Sequence, residues 1–206
     1  MNILITGGTG RLAHELKKHL EGEYVGIEDF DFTFWNQIPD KKYDLILHMG
    51  AFTDVALAEK QAHKCFLANV FGTFSMVHKY MDTPFVYIST EYAHEKLGVY
   101  AQSKYLGEEV VKAHPRHLIL RTSFKPNIFP FPKAYTNQFT QGDEVGIIAK
   151  LLAERVKNWN FKNGHEFLGT GRKTIFELAK KSRPDVEPML VEDYDPTGKI
   201  IPHDYI

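Results

Sequence analysis

At 206 residues the chain is sized for one domain, or one domain with a small lobe, and 43% hydrophobic residues suffice to bury a core without disulfides or a structural metal. Its 25 basic and 26 acidic residues nearly cancel, which excludes the global positive field of a nucleic-acid binder. A lone cysteine, Cys65, excludes an internal disulfide, and no apolar run approaches the length of a signal core or a spanning helix, so a cytoplasmic chain with neither nucleic acid nor membrane as partner is expected.

The first predicted element is a strand over 2–6. Thr6-Gly7-Gly8-Thr9-Gly10-Arg11-Leu12-Ala13 follows it and opens a helix whose Leu12, Leu16 and Leu20 share one face. Glycine lets a backbone turn tightly and approach a pyrophosphate, whose charge the free N–H groups at a helix start can hold. Gly7 and Gly10 keep the spacing of such a loop, and Ala13 stands at a third position that needs only to be small. Placed between a first strand and an amphipathic helix, the loop predicts dinucleotide binding through Gly7, Gly8, Thr9, Gly10, Arg11 and Leu12.

A second strand over 24–27 runs into Glu28 and Asp29, where a carboxylate can accept from a ribose 2′-hydroxyl and favour NADH. Arg11 is placed to pair with a 2′-phosphate instead, so NAD(H) and NADP(H) both stay open. Further on come strands over 45–48, 85–89 and 118–122, with helices over 59–80 and 100–113 between them. Each strand is short and mostly apolar rather than alternating, as strands covered on both faces are. Repeated strand–helix units imply right-handed crossovers and an α/β fold with a doubly wound, Rossmann-type parallel sheet.

After Ser123 the texture changes. An irregular connection is expected over 124–140, helices over 144–159 and 174–182, and a proline- and acid-rich tail wrapping the surface from Pro184. The expected organisation is a dinucleotide-binding core over 1–123 and a small, reduced C-terminal substrate lobe over 124–206, packed on the same domain.

Tyr100 and Lys104 stand four apart at the head of a helix, so they share a face, and a neighbouring ammonium lowers a phenol's pKa toward neutrality. Ten residues earlier, Ser89-Thr90 closes a strand, at the sheet edge where ligands bind in such folds. Thr90 is expected to orient a carbonyl and Tyr100 to deliver the proton, with hydride from a nicotinamide. The ten histidines are scattered without the partners of a zinc motif, so no metal is expected, and His94 is expected exposed on the short loop after Thr90.

Together, the glycine loop, the strand-end Ser/Thr and the Tyr-x-x-x-Lys pair resemble the extended short-chain dehydrogenase/reductase superfamily. Five finer segments resemble its dTDP-4-dehydrorhamnose reductase family: His48-Met49-Gly50-Ala51-Phe52-Thr53, Ala68-Asn69-Val70-Phe71-Gly72-Thr73, Tyr87-Ile88-Ser89-Thr90-Glu91-Tyr92, Val99-Tyr100-Ala101-Gln102-Ser103-Lys104 and Leu120-Arg121-Thr122-Ser123. The resemblance implies Thr90, Tyr100 and Lys104 as the catalytic set, with Tyr100 and Lys104 also at the cofactor. It places Gly50, Ala51 and Phe52 along the cofactor, Asn69 as an ordering residue there, and Asp31 and Phe32 beside the adenine. Thr53, Glu91 and Tyr92 would approach the substrate.

The activity it implies is NAD(P)H-dependent reduction of a nucleotide-linked 4-keto-deoxysugar; the oligomeric state, a homodimer among the alternatives, stays open. Epimerases or dehydratases of nucleotide sugars, and non-catalytic NAD(P)-binding regulatory subunits, share these features and stay open. The chain departs from the family in a short loop over 91–99, a trimmed connection after Ser123, Glu91 in place of aspartate and His48 in place of asparagine.

Overall fold

The apolar runs fold as β1 (Ile3–Thr6), β2 (Glu23–Val25), β3 (Leu45–His48), β4 (Phe85–Thr90) and β5 (His117–Thr122) in the computed structural model, which describes residues 1–204. Hydrogen-bonded neighbours run β2, β1, β3, β4, β5 and then Gly164–Phe167, all parallel. Every residue of β1, β3, β4 and β5 is buried, because both faces are covered. Ile3, Ile5, Leu45, Leu47, Val86 and Ile88 belong to a core that continues into Leu12 and Leu16 of α1 (Arg11–Leu16). Leu4, Ile46, Phe85 and Tyr87, their neighbours in sequence, belong to a second core on the opposite face. The chain is an α/β protein with a doubly wound parallel sheet and a small C-terminal lobe, as its sequence predicts.

From β1 the chain steps to one side to form β2, then returns to form β3 on the other side of β1. Leu12 and Leu16 after β1 pack in one core and Met76 and Val77 after β3 in the other, so the chain leaves these two strands toward opposite faces and a crevice opens there, the position at which such sheets bind ligands.

The helix expected over 59–80 is instead four pieces. They are α2 (Val55–Lys60), α3 (Ala62–Phe66), a π-helical stretch Leu67–Gly72 and α4 (Thr73–Lys79). Gln61, at φ −130° and ψ 46°, leaves helical geometry and separates the first two. A π turn holds one more residue per hydrogen-bonded ring than an α turn, which re-aims the side chains beyond it. Helix α5 (Gly98–Lys112) starts at Gly98, whose φ is +72°, so Tyr100 lies in its first turn.

Beyond Ser123 the expected irregular connection contains short pairings made over long chain separations. Phe124–Lys125 pairs with Asp143–Glu144, Lys133–Tyr135 with Glu187–Met189, and Phe139–Thr140 with Lys173–Thr174. Helix α6 (Val145–Lys157) rejoins the main core through Ile148, Ala149, Leu152 and Val156. Helix α7 (Ile175–Ser182) opens on a Thr174/Glu177 capping box and closes a small separate core with Phe129, Ala134 and Val186. The tail is not a surface wrap: Val191 and Ile201 are buried, and the Asp195 carboxylate accepts from the backbone N–H groups of Ile200 and Ile201. Among the described residues no helix is long and apolar enough to cross a membrane.

Candidate active site

The glycine loop and the loop after β3 meet at the crevice. Gly7 has φ +72°, and a Cβ on it would stand 2.9 Å from the Gly50 backbone nitrogen, so only glycine lets these loops touch. Gly10 N–H donates to the Gly7 carbonyl at 3.0 Å and closes the turn. Gly8 faces away from the crevice, against β2, where a Cβ would lie 2.7 Å from the Val25 nitrogen. Gly7, Thr9, Gly10, Asp31, Phe32, Gly50, Ala51, Phe52 and Thr53 line a cleft of about 530 Å³. Bare backbone at its glycine end suits an anion, and the Phe32 ring, edge-on to His48 at 5.0 Å, gives an apolar wall suited to a flat ring. The residues present thus fit a dinucleotide, in a cradle that added Cβ atoms would fill.

A buried polar chain fixes that wall. Thr6 Oγ1 accepts from the backbone N–H groups of Met49 and Gly50, so its own hydrogen goes to His48 Nδ1 at 2.8 Å. The Thr73 hydroxyl donates to the Asn69 carbonyl and thereby accepts from His48 Nε2 at 3.3 Å. His48 is therefore neutral with the proton on Nε2, and burial depresses its pKa to about 3. Asn69 clasps Phe52 from both sides, its Oδ1 accepting from Phe52 N–H and its Nδ2 donating to Phe52 carbonyl, while Nδ2 also donates to Ser103 on α5. It orders the cofactor-side loop rather than lining the cleft. The π-helical turn supplies this inward orientation.

A second cavity, of about 350 Å³, continues from Gly7 and Gly10 along the carboxyl ends of β4 and β5. Thr90, Tyr92, Tyr100, Lys104, Ser123 and Lys125 line it, with Arg11, Leu12, Ala51 and Thr53 toward the glycine loop. Helix α5 is pinned beneath it by Glu108, which receives two hydrogen bonds from Arg121, at 2.8 and 2.7 Å, and one from Ser89 at 2.5 Å. That pinning sets where Tyr100 and Lys104 stand.

Tyr100 and Thr90 are joined through their side chains, but the expected lowering of the phenol by Lys104 is absent. Burial pushes the Tyr100 phenol above its ordinary value, and the Thr90 hydrogen bond only partly opposes it. Lys104 donates instead to the Ile88 carbonyl at 2.7 Å and lies over the Tyr87 ring at 4.0 Å. Burial lowers the Lys104 pKa to about 7, against the opposing pull of Glu108. In this arrangement the ammonium is drawn to a carbonyl and an aromatic face of β4.

Other expected residues stand elsewhere. Glu91 was expected at the substrate, but it is fully buried and faces the C-terminal lobe, accepting from Thr140 Oγ1, Gln141 N–H and Gly142 N–H at 2.6, 2.8 and 3.1 Å. A strand-end carboxylate with three donors within reach turns to them. Asp29 folds back to accept from Gly26 N–H at 2.7 Å, and Glu28 is exposed with its carboxylate over Gly26; neither lines the cleft. Asp31 remains at the wall, its Oδ1 taken by the Thr33 N–H and hydroxyl. Tyr92 packs edge-on to Tyr100 at 6.3 Å, and His94 is exposed. Lys125, which sequence reasoning missed, lines both this cavity and an apolar chamber beyond it. Its neighbours in sequence give no cue, because its surroundings are assembled by residues far along the chain.

A family model described as the RmlD substrate binding domain matches residues 1–150. The chain belongs to the RmlD substrate binding domain family. It is 27% identical over 179 residues to a dTDP-4-dehydrorhamnose reductase of Sinorhizobium fredii (strain NBRC 101917 / NGR234), an alignment covering 74% of this chain and 60% of that protein. This RmlD-family chain thus spans about 60% of the length of that curated relative. A solved structure of a hypothetical dTDP-4-dehydrorhamnose reductase from Sulfolobus tokodaii superposes with a TM-score of 0.81 at 24% identity, covering 100% of this chain and 90% of the other. A dTDP-4-dehydrorhamnose reductase from Bacillus anthracis str. Ames, in complex with NADP, gives a TM-score of 0.80 at 22% identity over 98% of this chain and 90% of that one. At such identities the two structures show that the RmlD-family chain shares their fold.

Proposed function

We propose that the chain is an NAD(P)H-dependent oxidoreductase of the short-chain dehydrogenase/reductase type that reduces the 4-keto group of a nucleotide-linked deoxysugar. The observation that carries this reading is the convergence of Thr90, Tyr100 and Lys104 on one cavity that opens from the glycine loop. Family membership and the similarity to dTDP-4-dehydrorhamnose reductases support it, as does the NADP held by the Bacillus anthracis protein.

In this reading residues 1–123 carry the cofactor and 124–206 the substrate. Gly7, Thr9, Gly10 and Arg11 hold the pyrophosphate side, and Asp31, Phe32, Gly50, Ala51 and Phe52 the length of the dinucleotide. When bound, the reduced nicotinamide supplies hydride to the carbonyl carbon. Thr90 donates a hydrogen bond to the carbonyl oxygen and Tyr100 gives it the phenolic proton. Lys104 leaves the Ile88 carbonyl for the phenolate that remains, which its charge stabilises. Thr53 and Tyr92 flank the sugar ring. The reaction takes place in the cytoplasm.

Titration with NADH and NADPH, followed by nicotinamide fluorescence, tests the reading when dTDP-4-keto-6-deoxysugar is then added. Saturable binding followed by oxidation of the nicotinamide is the expected result, and absence of binding by either cofactor overturns it. A second reading, a cofactor-binding subunit without turnover, is favoured by Lys104 resting on Ile88 rather than on Tyr100. Saturable binding with no oxidation is its signature.

We also propose a homodimer. Leu67, Phe71 and Phe74 are exposed at helical spacing along one stretch, beside the exposed Trp35, and such a ladder suits self-association. Sedimentation of the wild type and of a Phe71→Glu variant tests this, with a monomeric variant expected.

A further inference from the structure

Beyond the catalytic cavity lies a chamber of about 470 Å³ walled by Phe129, Phe131, Tyr135, Met189, Tyr194 and Ile201. The two cavities share Val55, Tyr92 and Lys125 in their walls, so a ligand reaching from one into the other passes these side chains. Among the described residues, Lys125 is the one basic side chain common to both. Burial lowers the Lys125 pKa, and of the charges nearby Glu91 favours the ammonium and Arg11 opposes it. Glu91, however, is already committed to three donors of the 140–142 turn. No side chain or carbonyl among the described residues takes a hydrogen bond from the Lys125 ammonium, whereas Lys104 has the Ile88 carbonyl and Lys133 has Glu187 at 3.7 Å. Lys125 is half-buried, and a partly desolvated cation with no acceptor of its own is stabilised when a ligand supplies an anion.

The chemistry along this path therefore comes in a fixed order: hydroxyls at Thr90 and Tyr100, one ammonium at the throat, then an aromatic chamber. We propose that Lys125 is a specificity-determining residue that holds the diphosphate linker of the substrate. The carbonyl end of that substrate lies at Thr90 and Tyr100, and a flat apolar ring fills the chamber. The inference rests on the reductase reading of the cavity and adds to it the residue that selects an acidic linker. Aromatic walls take the face of a flat ring, and the chamber volume lies within the usual range for ligand pockets. A charge-assisted bond to one ammonium corresponds to about a tenfold or larger change in affinity.

Calorimetric titration of thymidine diphosphate and of thymidine into the full chain, with and without saturating NADP, tests this on the wild type, Lys125→Met and Lys125→Arg. The wild type is expected to prefer the diphosphate about tenfold or more over thymidine. Lys125→Met is expected to lose that preference and Lys125→Arg to retain most of it, with thymidine binding equally in all three. NADPH titration of each variant serves as the check on folding and on the cofactor site. Equal affinities for thymidine diphosphate in the wild type and Lys125→Met overturn the proposal, as does failure of the wild type to bind it. A Lys125→Met protein that loses NADPH affinity to the same degree also overturns it, assigning the ammonium to the cofactor. Failure of the reductase reading is recorded separately, as absence of NADPH binding by the wild type.

Discussion

The Glu91 carboxylate accepts a 2.6 Å hydrogen bond from the Thr140 hydroxyl across 49 positions of the chain, joining the end of β4 to the C-terminal lobe. The same carboxylate receives Gln141 N–H and Gly142 N–H, so its removal strands two donors, the Thr140 hydroxyl and Gln141 N–H, while Gly142 N–H keeps the Thr140 oxygen at 2.9 Å. Glu91→Ala is expected to cost on the order of 3 kcal/mol in urea unfolding, the range for buried groups left unsatisfied. NADPH affinity is expected to stay near the wild-type value, because Glu91 lines neither the cofactor cleft nor the catalytic cavity. Glu91→Gln, which keeps an acceptor oxygen, should lose less. An alanine variant as stable as the wild type would show that the lobe is held by its apolar core alone.

Gly7 and Gly171 both have positive φ, +72° and +99°, yet alanine meets backbone only at the first. There its Cβ would be 2.9 Å from Gly50 N and 3.0 Å from Gly50 Cα, whereas nothing lies within 4 Å at Gly171. Gly171→Ala is expected to carry conformational strain alone, about 1–2 kcal/mol in thermal or urea unfolding. Gly7→Ala is expected to lose more, and also to weaken NADPH binding about tenfold or more in the fluorescence titration, a loss of roughly 1.4 kcal/mol. Equal effects of the two substitutions on cofactor affinity would remove the glycine loop from the cofactor site.

These two glycines mark how far the sequence could be read. Gly7 was legible because the turn it serves is local: a strand, a turn and a helix in immediate succession. The four fully buried strands were legible for a similar reason, since burial on both faces leaves an unbroken apolar run. Gly164–Phe167 was not, because an edge strand with only intermediate or exposed residues carries no such run. The break at Gln61 and the π turn around Asn69 were invisible to a helical period that tolerates one inserted residue. Thr90, Tyr100 and Lys104 could be named from local motifs, but where Lys104 points depends on Ile88 and Tyr87 in a neighbouring strand. Glu91 and Lys125 take their meaning from residues brought together only by the fold.

Lys104 gives a pH dependence with a definite sign. Burial lowers its pKa to about 7 in the folded chain from 10.5, so between these values the unfolded chain holds a proton that the folded chain has released. The Lys104 contribution to stability therefore rises with pH across that window, and its penalty is fully present below about pH 7. Lys104→Met removes the titrating group. Its Tm relative to wild type is expected to be most favourable near pH 6 and to fall steadily toward pH 10. A difference independent of pH over this range would mean that Lys104 titrates at its ordinary value in the folded protein.

Tyr100 is where the reductase and non-catalytic readings part most sharply. Its phenol is held above its ordinary pKa by burial and bonded to Thr90, so it is protonated at neutral pH and can act as a donor. Tyr100→Phe deletes only that proton and its oxygen, leaving the ring that packs on Tyr92. Nicotinamide oxidation with a keto-sugar substrate is expected to fall about 100- to 10,000-fold, the usual range for loss of a general acid, while NADPH affinity stays within a few-fold. Thr90→Val, which removes the hydroxyl proposed to orient the carbonyl, should lower kcat less than Tyr100→Phe and leave cofactor binding equally intact. Wild-type turnover in Tyr100→Phe would exclude Tyr100 as the proton donor, since no other change in that variant could restore the missing proton.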